Sequence, residues 1–432
     1  MKKIIAMLLA AVTLLSLLSC GTELESGEAT GAETATGTPV TTTKKPSGAA
    51  DITYPKIAKP LTQADFDAIP IANNSMTEEE LRQICIDFMQ LQLSFLWTPN
   101  KSFDFYTYSD VKAQIKIRVV YGGMPYVSNT TGNLYQLMHY YDQETGIMDT
   151  AAMGQNAPNI MGNQCSGNSF WGWARVCNSM SWGGTPEINP AHGAVMVGPF
   201  TFDSSIQNYH SANIYTPNIC KNNGEQVMYR SYAATKPADG LVWYDPAVGG
   251  HVMMITGVHV EEKDGAIDGQ KSYVTYQDQA PSRTSVKVDG QSVLMQIGYS
   301  RKSTFEELYK EGSLPFTLKE LIGQDPVEKA TADFSHKEAS ITFDQLNSAS
   351  LNANYAISHV TMVIRDKDGN ETYSKPHALK GSSSFSKSIL FSELGIMRLS
   401  YEKALSEGAT ITLTVQLGNG EQFEIYSGLA VK

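Results

Sequence analysis

Positive charge is in short supply in this chain: 33 Lys and Arg stand against 44 Asp and Glu, a net charge of −11 over 432 residues. No basic stripe suits nucleic acid, and an acidic protein gains nothing from long-range attraction to an anionic surface. Cysteine is also scarce, with five in the whole chain, too few for a disulfide scaffold of this size. No Cys-x-x-Cys, His-x-x-x-His or His-Glu-x-x-His spacing occurs, so zinc has no ligand frame. A Gly-rich phosphate loop is missing too, because Gly418-Asn419-Gly420 reads as a hairpin turn. What remains is a chain with 42% apolar and 9% aromatic residues, enough core for two or three domains and no need of a cofactor.

The one long apolar run lies at the start. Lys2 and Lys3 precede Ile4 to Leu18, and Leu17-Leu18-Ser19-Cys20 follows. A charged n-region, a short apolar region and a small residue before the cut describe a secretory signal over 1–19, too short to span a membrane. Residues 20–58 are rich in Thr, Gly, Ser and Pro with few large apolar side chains, the composition of a flexible linker.

A more informative stretch is Gly162-Asn163-Gln164-Cys165-Ser166-Gly167-Asn168-Ser169-Phe170-Trp171-Gly172-Trp173. Its small polar residues suit a helix start, and its aromatics suit a buried helix body. Cys165 would then stand at a helix N-terminus, where free N–H groups and the dipole favour a thiolate nucleophile. The bland alternative is a small buried cysteine packing as a hydrophobe. A second stretch, Asp239 to Val258, places a Pro/Gly turn between two apolar runs and so predicts two adjoining strands, with His251 opening the second. A third run, Ser272 to Gln279, predicts another strand ending in Gln277, Asp278 and Gln279. Cysteine on a helix tip, histidine on a strand and an orienting polar group on the next strand form a thiol-hydrolase constellation. Asp278 is the preferred orienting group, since a carboxylate fixes the imidazole tautomer and stabilises the imidazolium. Strand alternation turns Gln277 and Gln279 to the other face. Oxyanion stabilisation would come from the Cys165 N–H and an upstream amide among Gln164, Asn163 and Asn159.

These motifs resemble those of the papain-like NlpC-type and CHAP-type cysteine peptidases and amidases. Cys-Ser-Gly opening a helix is similar to their Asp-Cys-Ser-Gly, with Gln164 in place of the Asp. Gly-Leu-Val-Trp-Tyr and Gly-His-Val-Met-Met-Ile-Thr-Gly resemble their later strands, and the order Cys, His, then a polar group is that of papain-type proteases. The resemblance spans roughly residues 155 to 300. It implies an acyl-enzyme route to amide hydrolysis, with peptidoglycan peptides as the substrate class. Leu-Leu-Ser-Cys resembles the bacterial lipobox, which implies lipidation of Cys20 and an extracytoplasmic, membrane-tethered protein; a monomer is expected, with nothing in the sequence to fix the oligomeric state. The alternatives are a surface protease on extracellular protein and an inactive papain-like binding lipoprotein.

The remaining segments complete the expectation of an α+β chain. A leading segment, 59–154, contains a helix from Thr77 to about Trp97 with a Thr77/Glu80 capping box, and Ile115 to Tyr121 alternates as a strand. Cys85 falls on the apolar stripe of that helix. The Gly122-Gly123-Met124-Pro125-Tyr126 turn and the Tyr135–Tyr141 aromatics read as core and loop, with a substrate cleft as the sharper option. Residues 155–325 form the papain-like core, in which Cys177 and Cys220 could be bridged and Leu314 to Ile322 reads as a helix. His139, His336, His359 and His377 lack supporting context. Short alternating strands over 330–432 predict an immunoglobulin-like β-sandwich serving as a spacer or positioning module.

Overall fold

Two hydrophobic cores divide the chain in the computed structural model, which describes residues 43–44, 53–106, 112–127, 132–150, 162–181, 184–202, 215–297, 301–379 and 385–432. Residues 1–19, expected as a secretory signal, and the candidates Cys20 and Asn159 lie outside the described residues, as does His210, a further histidine without supporting context. The first core takes in residues from Ile57 to Val327 together with Ala356 and Phe385 further along the chain, so the leading segment and the thiol segment share one interior.

Helix α1 (Glu78–Ser94) starts where its cap dictates. Thr77 Oγ1 accepts from the Glu80 N–H at 3.3 Å, and the Glu80 carboxylate accepts from the Thr77 N–H at 2.7 Å. Such a reciprocal cap satisfies two otherwise orphaned donors. The helix ends three residues before Trp97, contrary to expectation, because Phe95 leaves helical geometry at ψ 142. Leu96–Pro99 instead forms strand β1, buried at all four positions. It pairs with β2 (Tyr121–Gly122) and β3 (Ile147–Met148). The expected strand from Ile115 to Tyr121 is also interrupted: pairing stops at Ile115, and Arg118 takes φ 68, a left-handed turn that no strand accommodates.

The elements that follow are α2 (Cys165–Trp173), β4 (Ala194–Met196), α3 (Thr216–Asn223), α4 (Glu225–Ala233), β5 (Gly240–Asp245), β6 (Gly249–His259), β7 (Tyr273–Gln277), β8 (Gln279–Val288), β9 (Gln291–Ile297), β10 (Arg301–Thr304), α5 (Phe305–Glu311) and β11 (Leu314–Leu318). Six of these strands make one sheet in the order β10-β7-β6-β5-β11-β4, antiparallel at every pairing. A second sheet has the order β8-β9-β2-β1-β3. Residues 314–318, expected as helix, form an inner strand with all five residues buried. A strand covered on both faces reads as a continuous apolar run, and periodicity cannot separate it from a buried helix.

Residues 332–430 form two more sheets around the second core. Their strands are β12 (Ala332–Phe334), β13 (Ser340–Ile341), β14 (Ser350–Ala353), β15 (Ile357–Arg365), β16 (Glu371–His377), β17 (Ser388–Leu390), β18 (Thr410–Leu417) and β19 (Gln422–Ala430). The sheet orders are β12-β14-β17 and β13-β19-β18-β15-β16. Alternation sends Val360, Met362 and Ile364 of β15 and Ile411, Leu413 and Val415 of β18 into that core.

The module is more than a spacer, because it packs on the helix that carries Cys165. The Phe385 ring lies 3.9 Å from that of Phe170 and 5.6 Å from that of Trp171. Tyr355 OH donates to the Val176 carbonyl at 3.3 Å, and the Lys387 ammonium donates to the Asn178 carbonyl. Gly418 sits so close that an added Cβ would lie 3.0 Å from Ala174 Cβ and 3.2 Å from Trp171. With α1 and β6 on its other sides, α2 is buried at all nine positions.

Candidate active site

Cys165 owes its position to the residues just before it. The Asn163 N–H donates to the Pro125 carbonyl at 3.0 Å, and the Val127 N–H donates to the Asn163 carbonyl at 2.8 Å. Gly162 is required there, since a Cβ would lie 2.6 Å from the Pro125 carbonyl oxygen. The 122–126 turn is therefore core and clamp: Met124 and Tyr126 are buried. Beyond this clamp Gln164 becomes the N-cap, and the first helical bond runs from the Asn168 N–H to the Gln164 carbonyl at 2.9 Å. Cys165 is thus the first helical residue, whose own N–H has no intrahelical acceptor.

The structure brings His251 and Asp278 to this thiol. Strand β6 pairs with β5 and β7, and His251 lies directly opposite Trp243. His251 stands close enough to the Cys165 sulfur for each to shift the other's ionisation. His251 Nε2 stands 2.7 Å from Asp278 Oδ2. A carboxylate only accepts, so Nε2 carries a hydrogen and Nδ1 is the nitrogen left for the thiol. Asp278 falls between β7 and β8 and is 1% exposed at its side chain. Gln277 and Gln279 point elsewhere: Gln277 Nε2 donates to Gln90 Oε1, and Gln279 Nε2 donates to the Met124 carbonyl at 2.8 Å.

Electrostatics separate Cys165 from the other cysteines. Burial pushes the Cys85 and Cys220 thiols up to about 12 and Cys177 well above its ordinary value. Burial opposes ionisation of Cys165 as well, but the His251 charge, with the Val252 and Ser166 amides, brings it below the free-thiol value. Burial likewise opposes charge on His251, yet the thiolate and Asp278 raise it well above 6.5. The two shifts have opposite signs, as an ion pair requires. Cys177 and Cys220 are both free, so the bridge considered between them is not formed.

The oxyanion candidates differ in availability. Asn163 is fully buried, and its Oδ1 accepts from the Gln164 N–H at 2.8 Å. Gln164 is half-buried beside the thiol with no capping bond from its side chain. Asn159 lies outside the described residues. His259 is exposed, 3.4 Å from Glu261. Tyr135 stacks on Phe88 at 5.1 Å as part of the core. Tyr141 is also part of the core, and with Tyr140 it lines a separate cavity of about 480 Å³ against Ser374, Lys375 and Pro376. Among the described residues no group of three His, Cys, Asp or Glu side chains is arranged to hold a metal, and no helix is long and apolar enough to cross a membrane.

Sequence reasoning missed Arg301 on β10, whose Nε lies 3.4 Å from Asp278 Oδ1. Only the register that sets Arg301 opposite Tyr276, two residues before Asp278, makes the contact visible. Sequence reasoning also left His139 and His359 without context, although their Nε2 atoms stand 2.9 Å apart.

No protein-family model, curated protein or solved structure matches this chain.

Proposed function

We propose that the chain is a cysteine hydrolase that cleaves amide bonds through a thioester intermediate, exported and tethered by a lipid on Cys20. The observation that carries this reading is the continuous line Asp278–His251–Cys165 at the head of a buried helix, with the thiol lowered and the imidazole raised. The Cys165 thiolate attacks the carbonyl carbon and forms the C–S bond while His251 protonates the departing amine and the C–N bond breaks. His251, now neutral, takes a proton from water, whose oxygen attacks the thioester. The C–S bond then breaks, the acid leaves and the ion pair is restored. Negative charge on the carbonyl oxygen would meet the Cys165 N–H and the Gln164 amide. On this reading residues 59–325 form a papain-like domain and 330–432 an immunoglobulin-like sandwich that braces its helix. The resemblance in the sequence points to peptidoglycan peptides as substrate, with extracellular protein as the rival.

Cys165 is only 4% exposed, which favours a second reading: a papain-like binding lipoprotein without turnover. The Cys165→Ala variant separates the two. Amine release from peptidoglycan fragments or a peptide library by the wild type, abolished in the variant, supports a hydrolase. Undiminished ligand capture by the variant with no turnover by the wild type supports the binder.

A further inference from the structure

We propose that Arg301 is a positioning residue of this site, pinning the outer oxygen of Asp278 and moderating how tightly that carboxylate holds the proton on His251. The inference rests on the hydrolase reading above and assigns the site a fourth member. Asp278 Oδ2 belongs to His251 at 2.7 Å. Oδ1, on a side chain only 1% exposed, makes no hydrogen bond and has the Arg301 guanidinium at 3.4 Å as its companion. The contact is an ion pair without hydrogen-bond geometry, and Arg301 is itself 28% exposed and so partly screened.

The chemistry gives this placement a purpose. A buried carboxylate facing an imidazolium alone would hold its proton too well, whereas His251 must release that proton to the leaving amine and then act as a neutral base. A guanidinium on the far oxygen shares the negative charge that Asp278 presents to His251. Arg301 reaches this point because β10 pairs with β7, placing it opposite Tyr276. The other groups facing the site are Cys165 on α2, Tyr276 on β7 and Glu311 at the end of α5. Tyr276 is pushed up to about 12 by burial, outside the working range. Glu311 acts electrostatically on both His251 and Asp278, and burial raises its carboxyl.

Removing a positive charge stabilises the imidazolium and destabilises the thiolate, so both should titrate at higher pH. The test is alkylation of Cys165 by iodoacetamide from pH 4 to 10 in the mature chain, with Cys165→Ala as the background. It compares the wild type, His251→Ala, Arg301→Gln and Arg301→Lys, with Arg301→Met replacing the Gln variant if that one does not fold. Expected is an inflection for Arg301→Gln about half a pH unit or more above the wild type, roughly a threefold loss of thiolate on the acid limb. Arg301→Lys, which keeps the charge, should stay near the wild type. An unchanged or downward inflection in Arg301→Gln, or a Lys variant shifted as far as the Gln variant, would overturn the proposal. Failure of the hydrolase reading looks different, because His251→Ala would then alkylate with the wild-type profile.

Discussion

Asp278 Oδ2 accepts a hydrogen bond from His251 Nε2 at 2.7 Å across 27 residues of chain, while both flanking glutamines turn away to Gln90 and Met124. The relationship follows from strand alternation at the point where β7 gives way to β8. It leaves the imidazole one polar partner on each side.

If Asp278 stabilises the imidazolium by its charge, Asp278→Asn should keep the hydrogen bond and lose the effect. His251 is raised in the folded protein, so its contribution to stability is complete below about 6.5 and is lost as pH rises through the raised value. The Cys165 contribution has the opposite sign: it is present above the free-thiol value and lost as pH falls through the lowered one. In Asp278→Asn the upper edge of this window should fall by about one pH unit, equivalent to about 1.4 kcal/mol. NMR titration of labelled histidine reads it directly, and an unmoved His251 titration would refute the role.

How much of this was legible follows physical lines. The start of α1 could be read from Thr77 and Glu80, because a cap is decided by four adjacent residues. The β5–β6 hairpin and the place of Cys165 at a helix tip are equally local. Leu314–Leu318 was unreadable as a strand because burial on both faces erases alternation. The contacts Arg301–Asp278 and His139–His359 depend on register and domain packing, which no single stretch encodes. Nor does the sequence announce that Phe385 covers Phe170, since an aromatic in a β module is ordinarily assigned to the module's own core.

Helix α1 is tied to the start of β5 by an ion pair. Arg82 Nη1 donates to Asp239 Oδ1 and to the Pro237 carbonyl, each at 2.7 Å, with both charged side chains under a tenth exposed. Burial outweighs pairing at Asp239, whose carboxyl is raised. Arg82→Met should therefore cost about 3–5 kcal/mol by stranding a buried carboxylate, and the Arg82→Met/Asp239→Leu double variant should recover most of it. Urea midpoints of the three proteins check this, and a double variant as weak as the single would contradict it.

The β module should be indispensable to the thiol domain. Phe385→Ala removes a ring packed on Phe170 and Trp171 of the helix that carries Cys165, a truncation worth about 3–5 kcal/mol. The loss should appear both as a lower melting temperature and as faster alkylation of Cys85 or Cys177, which are shielded in the intact core. A variant that melts and labels as the wild type would return the module to the role of a spacer.

The joint between the two cores should loosen in acid. His139 comes from the thiol side and His359 from β15; their Nε2 atoms are 2.9 Å apart, so one must donate and the other accept. His359 Nδ1 lies 3.0 Å from Ser358 Oγ, which donates to Asn133 Oδ1 at 2.9 Å, and Gln136 Nε2 donates to the Ser358 carbonyl at 2.5 Å. Within this network His359 has no place for a second proton, since its Nδ1 must donate to Ser358 and its Nε2 must accept from His139. Burial lowers His139 and lowers His359 well below 6.5, the latter with help from His139 and His377; burial also takes His377 to about 4. All three folded values lie below the unfolded one, so their stability is present above about 6.5 and is lost as pH falls from there toward about 4. Each imidazole can contribute up to about 1.4 kcal/mol per pH unit in that range. His359→Gln, which keeps a donor and an acceptor without the titration, should flatten the fall in melting temperature between pH 7 and pH 5. An equally steep fall in that variant would assign the acid sensitivity to other groups.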